Sequence, residues 1–174
     1  AMVKLVGSGK TGPSAAEVAS AAKVSLRTVF RHFEDIDSLY LEMVRLIGED
    51  IYPLVGTPLE GETCCDKMLS LLKRRLNIYE KIMPFKIAAN ARRFKSEFLQ
   101  AEYNAFLTIE RSAVDSILPD DAKVDIILRE AIQLVTSFDA WARLRMDQGL
   151  SVEDSEATLR RALDALLQEC SQGK

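Results

Sequence analysis

Between residues 14 and 39 the chain reads SAAEVASAAKVSLRTVFRHFEDIDSL, and its apolar positions recur at helical rather than strand spacing. Ser14 stands three residues before Glu17, the arrangement in which hydroxyl and carboxylate each satisfy an orphan amide, so a helix is predicted to begin near Ala15. Val18, Ala19 and Ala22 line one small apolar face of it. After Lys23 and Val24, Ser25 is the next cap, and Val24 is placed to staple against Val29. In the short helix that follows, Val29 and Phe33 mark the inner face. Arg27, Thr28, Arg31 and His32 fall outward at i, i+1, i+4 and i+5. Asp35 is then placed to cap a third helix.

That helix is predicted to run to about Tyr52 with Leu39, Met43, Leu46 and Ile47 along one stripe, and Pro53, Gly56, Pro58 and Gly61 break it. The next spans Thr63 to about Met83 with Met68, Leu71, Leu72, Leu76 and Tyr79 inward, and Pro84 imposes a break or kink. Phe85 to Leu118 reads either as two helices meeting near Lys95 and Ser96 or as one bent helix. Pro119, Asp120 and Asp121 end that segment and cap a helix from about Ala122 to Met146, so poor in polar positions that it needs cover on more than one side. Gly149 ends it, Ser151 with Asp154 caps the last helix, and Leu159, Ala162, Leu163, Leu166 and Leu167 form its stripe. The pattern is all-α. Two such helices from each of two chains would make a four-helix dimer interface, with Ile127, Ala131, Val135, Leu159, Leu163 and Leu166 at its centre.

Composition narrows the partners. With 174 residues, 48% apolar, the chain can bury a substantial core, and a net charge of −3 excludes a uniformly basic coat for nucleic acid. Any such contact has to be local: residues 1–47 hold six cations against five acids, a balance of +1 that leaves −4 for the remainder. No signal peptide is legible, and every apolar run is cut by charges before the roughly 18 residues a membrane span needs, so a soluble, cytoplasmic protein is expected. Three cysteines, Cys64 and Cys65 adjacent, suit packing better than a disulfide framework. A single histidine leaves a metal site nothing to complete it, and no cofactor is expected. GSGKT at residues 7–11 resembles part of a phosphate loop, but Lys4 stands where that loop requires its first glycine. His32 has no nucleophile beside it, and no constellation for catalysis survives inspection.

Two short helices joined by a tight turn, the second basic and outward, define a helix-turn-helix, whose second helix enters a major groove. The stretch EVASAAKVSLRTVFRHFEDIDSL resembles the DNA-binding signature of TetR-family transcriptional regulators, an (I/V)A..AGVS..T(V/L)YxHF..K..L pattern. FDAWARLRMDQGLS, residues 138–151, also resembles the corresponding region of many such regulators, less specifically. The resemblance implies an all-helical homodimer with an N-terminal DNA-binding head and a larger C-terminal bundle that holds an inducer. Carried over by position, Leu26, Arg27, Thr28, Phe30, Arg31 and His32 would face an operator, with Lys23 and Ser25 beside the turn. The pattern usually has Gly where Lys23 stands, Tyr where Phe30 stands and Lys where Ile36 stands, so two contacts to phosphate that the family typically makes are missing. Periodicity groups Leu26 with the inner residues, whereas the family pattern turns it to DNA. Met2–Val6 corresponds to the end of the family's first helix, most of which would precede it.

The expected organisation is therefore a head at 1–47 and a ligand-binding and dimerisation domain at 48–174. The resemblance implies an apolar pocket among the middle helices, for which the aromatic and amphipathic candidates are Met83, Phe85, Asn90, Phe94, Phe98, Tyr103, Phe106, Thr136, Phe138 and Trp141. Function is expected to be that of a one-component regulator, in the main a repressor, which binds a palindromic operator as a dimer and is released by a small apolar ligand. The alternative is a helical dimeric module that binds a ligand or protein but no longer binds DNA.

Overall fold

The computed structural model describes residues 1–120, 123 and 125–172, and among them no strand occurs. The helices are α1 (Met2–Gly7), α2 (Ala15–Ala22), α3 (Leu26–His32), α4 (Ile36–Val55), α5 (Cys64–Arg93), α6 (Glu97–Asp115), α7 (Ile126–Val135), α8 (Phe138–Ala142), a π turn at Arg143–Asp147, and α9 (Val152–Gln172). The start expected near Ala122 lies outside the described residues. By compactness the chain divides into one unit of residues 1–53 and 81–106 and a second of 54–80 and 107–174, a division that does not follow a boundary at residue 47.

In the first unit the core gathers Met2 and Val6 of α1, Val18 and Ala19 of α2, Val29 of α3, and Leu39, Tyr40 and Met43 of α4. Ala88 and Leu99 join it from α5 and α6. Each large apolar side chain so buried contributes about 1.5–3 kcal/mol. The predicted stripe of α4 is shifted by packing: Tyr40 is buried, while Leu46, expected inward, is exposed. The caps that start α2, α3 and α4 are the predicted ones. Ser14 Oγ accepts from Glu17 N at 3.3 Å, Ser25 Oγ from Thr28 N at 3.1 Å, and Asp35 Oδ1 from Ser38 N at 2.8 Å. Hydrogen bonds from Lys10 and from the amide and hydroxyl of Ser14 hold the Glu17 carboxyl down at about 2. Of the pair expected to form the staple, Val29 is buried and Val24 is 43% exposed.

In the second unit the predicted inner face of α5, Met68, Leu71, Leu72, Leu76 and Tyr79, is buried as a set. Val114, Leu118, Leu128, Ile132, Phe138, Trp141, Leu159, Leu163 and Leu167 complete that core. Tyr79 meets Phe138 edge to face, ring centroids 5.6 Å apart.

Two boundaries depart from the sequence pattern. Pro84 was expected to impose a break or a kink with the helix ending near Met83; no break occurs, and α5 runs 30 residues through it. The proline removes the amide that would bond the carbonyl of residue 80, a loss of about 3 kcal/mol in a helix interior. Ile78, Tyr79, Ile82 and Ala88, buried on either side, hold the helix together across the gap. Pro53 is carried inside α4 in the same way, moving its end from the expected Tyr52 to Val55.

Conversely, the single helix expected to reach Met146 is interrupted at Thr136 and Ser137. The Thr136 carbonyl, which a continuous helix would give to Ala140 N, accepts instead from Arg75 Nη1 at 3.1 Å, and Tyr79 Oη, also 3.1 Å away, shares its single proton between this carbonyl and Glu110 Oε1. Ser137 Oγ accepts from Ala140 N and starts α8, and Phe138 N donates to Glu110 Oε1 at 3.1 Å. Arg75, only 5% exposed, also donates to Thr136 Oγ1 at 2.7 Å and to the Glu110 carbonyl, so its buried charge is satisfied on three sides. Burial pushes the Tyr79 hydroxyl well above its ordinary pKa, and it donates to Glu110 Oε1.

Beyond the break, Glu80 Oε2 accepts from Trp141 Nε1 at 3.0 Å, and both its oxygens accept from the Arg145 guanidinium. The Arg145 hydrogen bonds hold the Glu80 carboxyl below its ordinary value of 4.5. Because the folded value is the lower one, this pair stabilises fully above pH 4.5 and is lost as pH falls through the folded value. Glu80→Gln is expected to lower the melting temperature at pH 7 by about 2–4 °C and to flatten its fall on acidification. Thermal unfolding followed at pH 7 and at successively more acidic values checks this. An unchanged acid limb would remove Glu80 from the pH dependence.

Candidate nucleic-acid interface

The turn between α2 and α3 is built by the backbone of Lys23, which takes φ 56° and is the only non-glycine with positive φ among the described residues. Val24 N reaches back to Ala19 O at 3.0 Å and Lys23 N to Ser20 O at 3.1 Å, closing α2 with a Schellman turn. Glycine adopts this conformation freely, whereas a residue with a Cβ is strained there by about 1–2 kcal/mol. Lys23 therefore stands in a glycine-favouring position and keeps an exposed ammonium beside the turn.

Only Val29 of α3 is buried. Leu26 is 43% and Phe30 46% exposed, and Arg27, Arg31 and His32 are exposed with them. The conflict over Leu26 is thus decided for the outward orientation. No hydrogen bond or ion pair within the described residues engages the side chains of Lys23, Arg27, Arg31 or His32. Many other cations are tied down: Arg45 to Glu42 and Glu49, Arg111 to Glu130, Arg129 to Asp115. Ser25 and Thr28 differ from the rest of the predicted set. Their hydroxyls bond each other at 2.8 Å and Ser25 caps the helix, so both side chains already serve the fold.

Ile36, at the position where a lysine is usual in the TetR-like pattern, is half-buried and packs against the core of the first unit. Beside it Asp37 pairs with Arg92 Nε of α5, and the Arg92 guanidinium lies 5.5 Å from the Tyr40 ring centroid. This tie between the first turn of α4 and the end of α5 joins residues 55 apart and carries no local sequence signal.

The ten pocket candidates are divided. Met83, Phe85, Asn90, Phe94, Phe98, Tyr103 and Phe106 belong to the first unit, and Thr136, Phe138 and Trp141 to the second. The last three are buried core, with Thr136 engaged by Arg75. Phe94 and Phe98 are 78% and 69% exposed, because the chain turns between α5 and α6 at residues 94–96 and carries them outward. Met83, Phe85 and Asn90 are half-buried. Tyr103 and Phe106 face cations, with Lys86 Nζ 3.3 Å from the Phe106 centroid and the Arg93 guanidinium 3.9 Å from that of Tyr103. A cleft of about 300 Å³ lies elsewhere in the second unit, among Glu60, Leu69, Lys73, Glu156 and Arg160, and includes none of the ten.

Of the residues expected between two chains, Leu159 and Leu163 are instead buried inside their own unit and offer nothing to a partner. Ala131, Val135 and Leu166 are half-buried. Ile127 is 85% exposed and shares a face of α7 with Leu134, seven residues on and likewise exposed.

No protein-family model matches the chain, and no curated protein does. Among solved structures it is similar to a crystal structure from Rhodococcus sp. provisionally described as a TetR-family transcriptional regulator, with 16% identity, 95% of this chain and 93% of that chain covered, and a TM-score of 0.70. At that identity the likeness is one of fold: the chain has the all-α fold of that protein over nearly its whole length. No helix among the described residues is long and apolar enough to cross a membrane.

Relief of the strain at Lys23 is measurable. Lys23→Gly is expected to stabilise the protein by roughly 0.5–1 kcal/mol, the removed Cβ clash exceeding the added freedom of the unfolded chain. Lys23→Ala keeps the clash and gains nothing. Equal denaturant midpoints for the two variants would dismiss strain at this turn.

Proposed function

We propose that the protein is a TetR-like transcriptional regulator that binds double-stranded DNA through α3, as a cytoplasmic homodimer. The observation that carries this reading is the outer face of α3, where the side chains of Arg27, Arg31 and His32, with Lys23 beside the turn, have no hydrogen-bond or ion-pair partner among the described residues, in a chain of net charge −3. Phosphates and base edges are the partners that the unpaired Lys23, Arg27 and Arg31 suit, and the fold likeness to a structure described as a transcriptional regulator supports the same reading. Arg27, in the first turn of α3, has a fork that matches the O6 and N7 of guanine. Repression, with release by a small molecule, is the regulatory form the resemblance implies. A ligand acts there by favouring one of two arrangements, and α5 suits the role of transmitter because it supplies residues to both units and ends at the Arg92–Asp37 pair.

A second reading, a helical module that no longer binds DNA, is favoured by two observations: Phe30 has no hydroxyl for a phosphate, and Ile36 packs into the core. Selection of bound duplexes from a random pool, followed by titration, separates the two. Arg27→Ala is expected to weaken the best duplex by about 1–3 kcal/mol per half-site and to relax preference at one base position. Absence of any preferred sequence favours the DNA-silent module.

Dimerisation is supported by the apolar face of α7, because Ile126, Ile127 and Leu134 together leave more apolar surface in water than scattered residues do. Two recognition helices related by a dyad would then read half-sites about 34–36 Å apart. The pair Ile127→Glu with Leu134→Glu is expected to turn a dimer into a folded monomer in sedimentation at micromolar concentration. An unmodified protein that sediments as a monomer ends this part of the reading.

A further inference from the structure

The outer face of α3 is not simply basic. Leu26 and Phe30 lie one turn apart on it, each nearly half exposed, and Arg27 and Arg31 form the adjacent stripe. Two large apolar side chains in water on a seven-residue helix do nothing for the core, which takes only Val29 from α3. Nor do they serve phosphate binding, since neither carries a donor. The major groove offers an apolar group at one place, the C5-methyl of thymine, and apolar side chains are its matching contacts. Residues four apart on a helix are separated by about 6 Å along the axis, which is close to two base-pair steps of 3.4 Å.

We infer that Leu26 and Phe30 read thymine methyl groups, so that each operator half-site carries T·A pairs at two positions flanking the bases contacted by Arg27 and Arg31. The inference rests on the reading of α3 as a recognition helix and deepens it by assigning the base class. It also gives the exposed ring of Phe30 a use that needs no hydroxyl: packing edge or face against a methyl. The three cations beside these two side chains, Lys23, Arg27 and Arg31, suit either DNA or an acidic protein surface, and DNA is favoured by the fold likeness to a structure described as a transcriptional regulator.

The test replaces thymine by deoxyuridine, which removes the methyl and leaves every hydrogen-bonding group in place. The full-length chain is used, on the best duplex found by selection, with substitutions made one position at a time in both half-sites. At two positions per half-site the unmodified protein is expected to lose about fourfold in affinity per methyl, the factor that one buried methylene-sized group is worth. With both half-sites changed together the loss becomes about 16-fold for each position. Leu26→Ala should abolish the penalty at one position and Phe30→Ala at the other, while Arg27→Ala leaves both penalties intact. Both replaced side chains are exposed, so circular dichroism and melting temperature are expected to stay unchanged.

Specific binding with deoxyuridine tolerated everywhere overturns the thymine assignment and leaves the recognition helix standing. The same holds for penalties that survive both alanine variants. A protein that shows no sequence preference, or that binds an acidic protein and no duplex, overturns the assignment and the recognition helix together.

Discussion

A guanidinium taken almost wholly out of water has to find its hydrogen bonds within the protein, and Arg75 finds them in backbone as much as in side chains. Its partners are the carbonyls of Thr136 and Glu110 and the hydroxyl of Thr136, so one charge fixes α5 against α6 and against the junction of α7 and α8. The same demand sets the course of the chain. Once the Thr136 carbonyl is given to Arg75 and Tyr79, the helix cannot continue, Ser137 becomes a cap, and Trp141 enters the core at a new angle to meet Glu80. Removing one member would leave a buried donor or acceptor unpaired, the kind of loss that costs about 1–3 kcal/mol. The second unit is thus organised by a polar centre with apolar layers around it.

What could be read from the sequence was what is decided within one turn of helix. The capping pairs Ser14–Glu17, Ser25–Thr28, Asp35–Ser38 and Ser151–Asp154 involve residues three apart, and their local chemistry fixes where four helices begin. The inner stripe of α5 followed from spacing for the same reason. The break at Thr136 did not, because its cause, Arg75, is 61 residues away. Nor did the continuity of α5 through Pro84, where packing on both sides outweighs a local preference. The face of α3 was legible in outline, since a basic stripe on a short capped helix can point only outward. Its details were not: nothing local says that Ser25 and Thr28 bond each other, or that Ile36 turns into the core. Pocket residues were the least legible, because aromatic and aliphatic side chains that line a cavity have the same sequence pattern as those that fill a core.

The three departures from the TetR-like pattern take on physical meaning in the fold. Lys23 holds a backbone conformation that glycine would hold without strain, and the exchange leaves an ammonium at the edge of α3. Ile36 exchanges an outward charge for a place in the core. Phe30 keeps the aromatic ring in the open and drops the hydroxyl. Together they leave this face with fewer fixed polar groups and with more apolar surface and an added cation on a flexible stem.

The shortness of α3 and its single buried residue have a kinetic side. Seven residues are too few for a helix to persist in water by itself, and Val29 alone anchors this one to the core. Its amides belong to the low-stability end of the molecule. In hydrogen exchange they should open by local fluctuation, long before α5 yields through global unfolding. If exchange shows such opening, any partner of this face has to order the helix, and that ordering is drawn from the gross interaction energy at each encounter. Affinity at this face would then respond to temperature and to changes in the small core beneath Val29 that never touch the partner. A substitution at Val18 or Met43 could weaken binding with every contacting side chain intact.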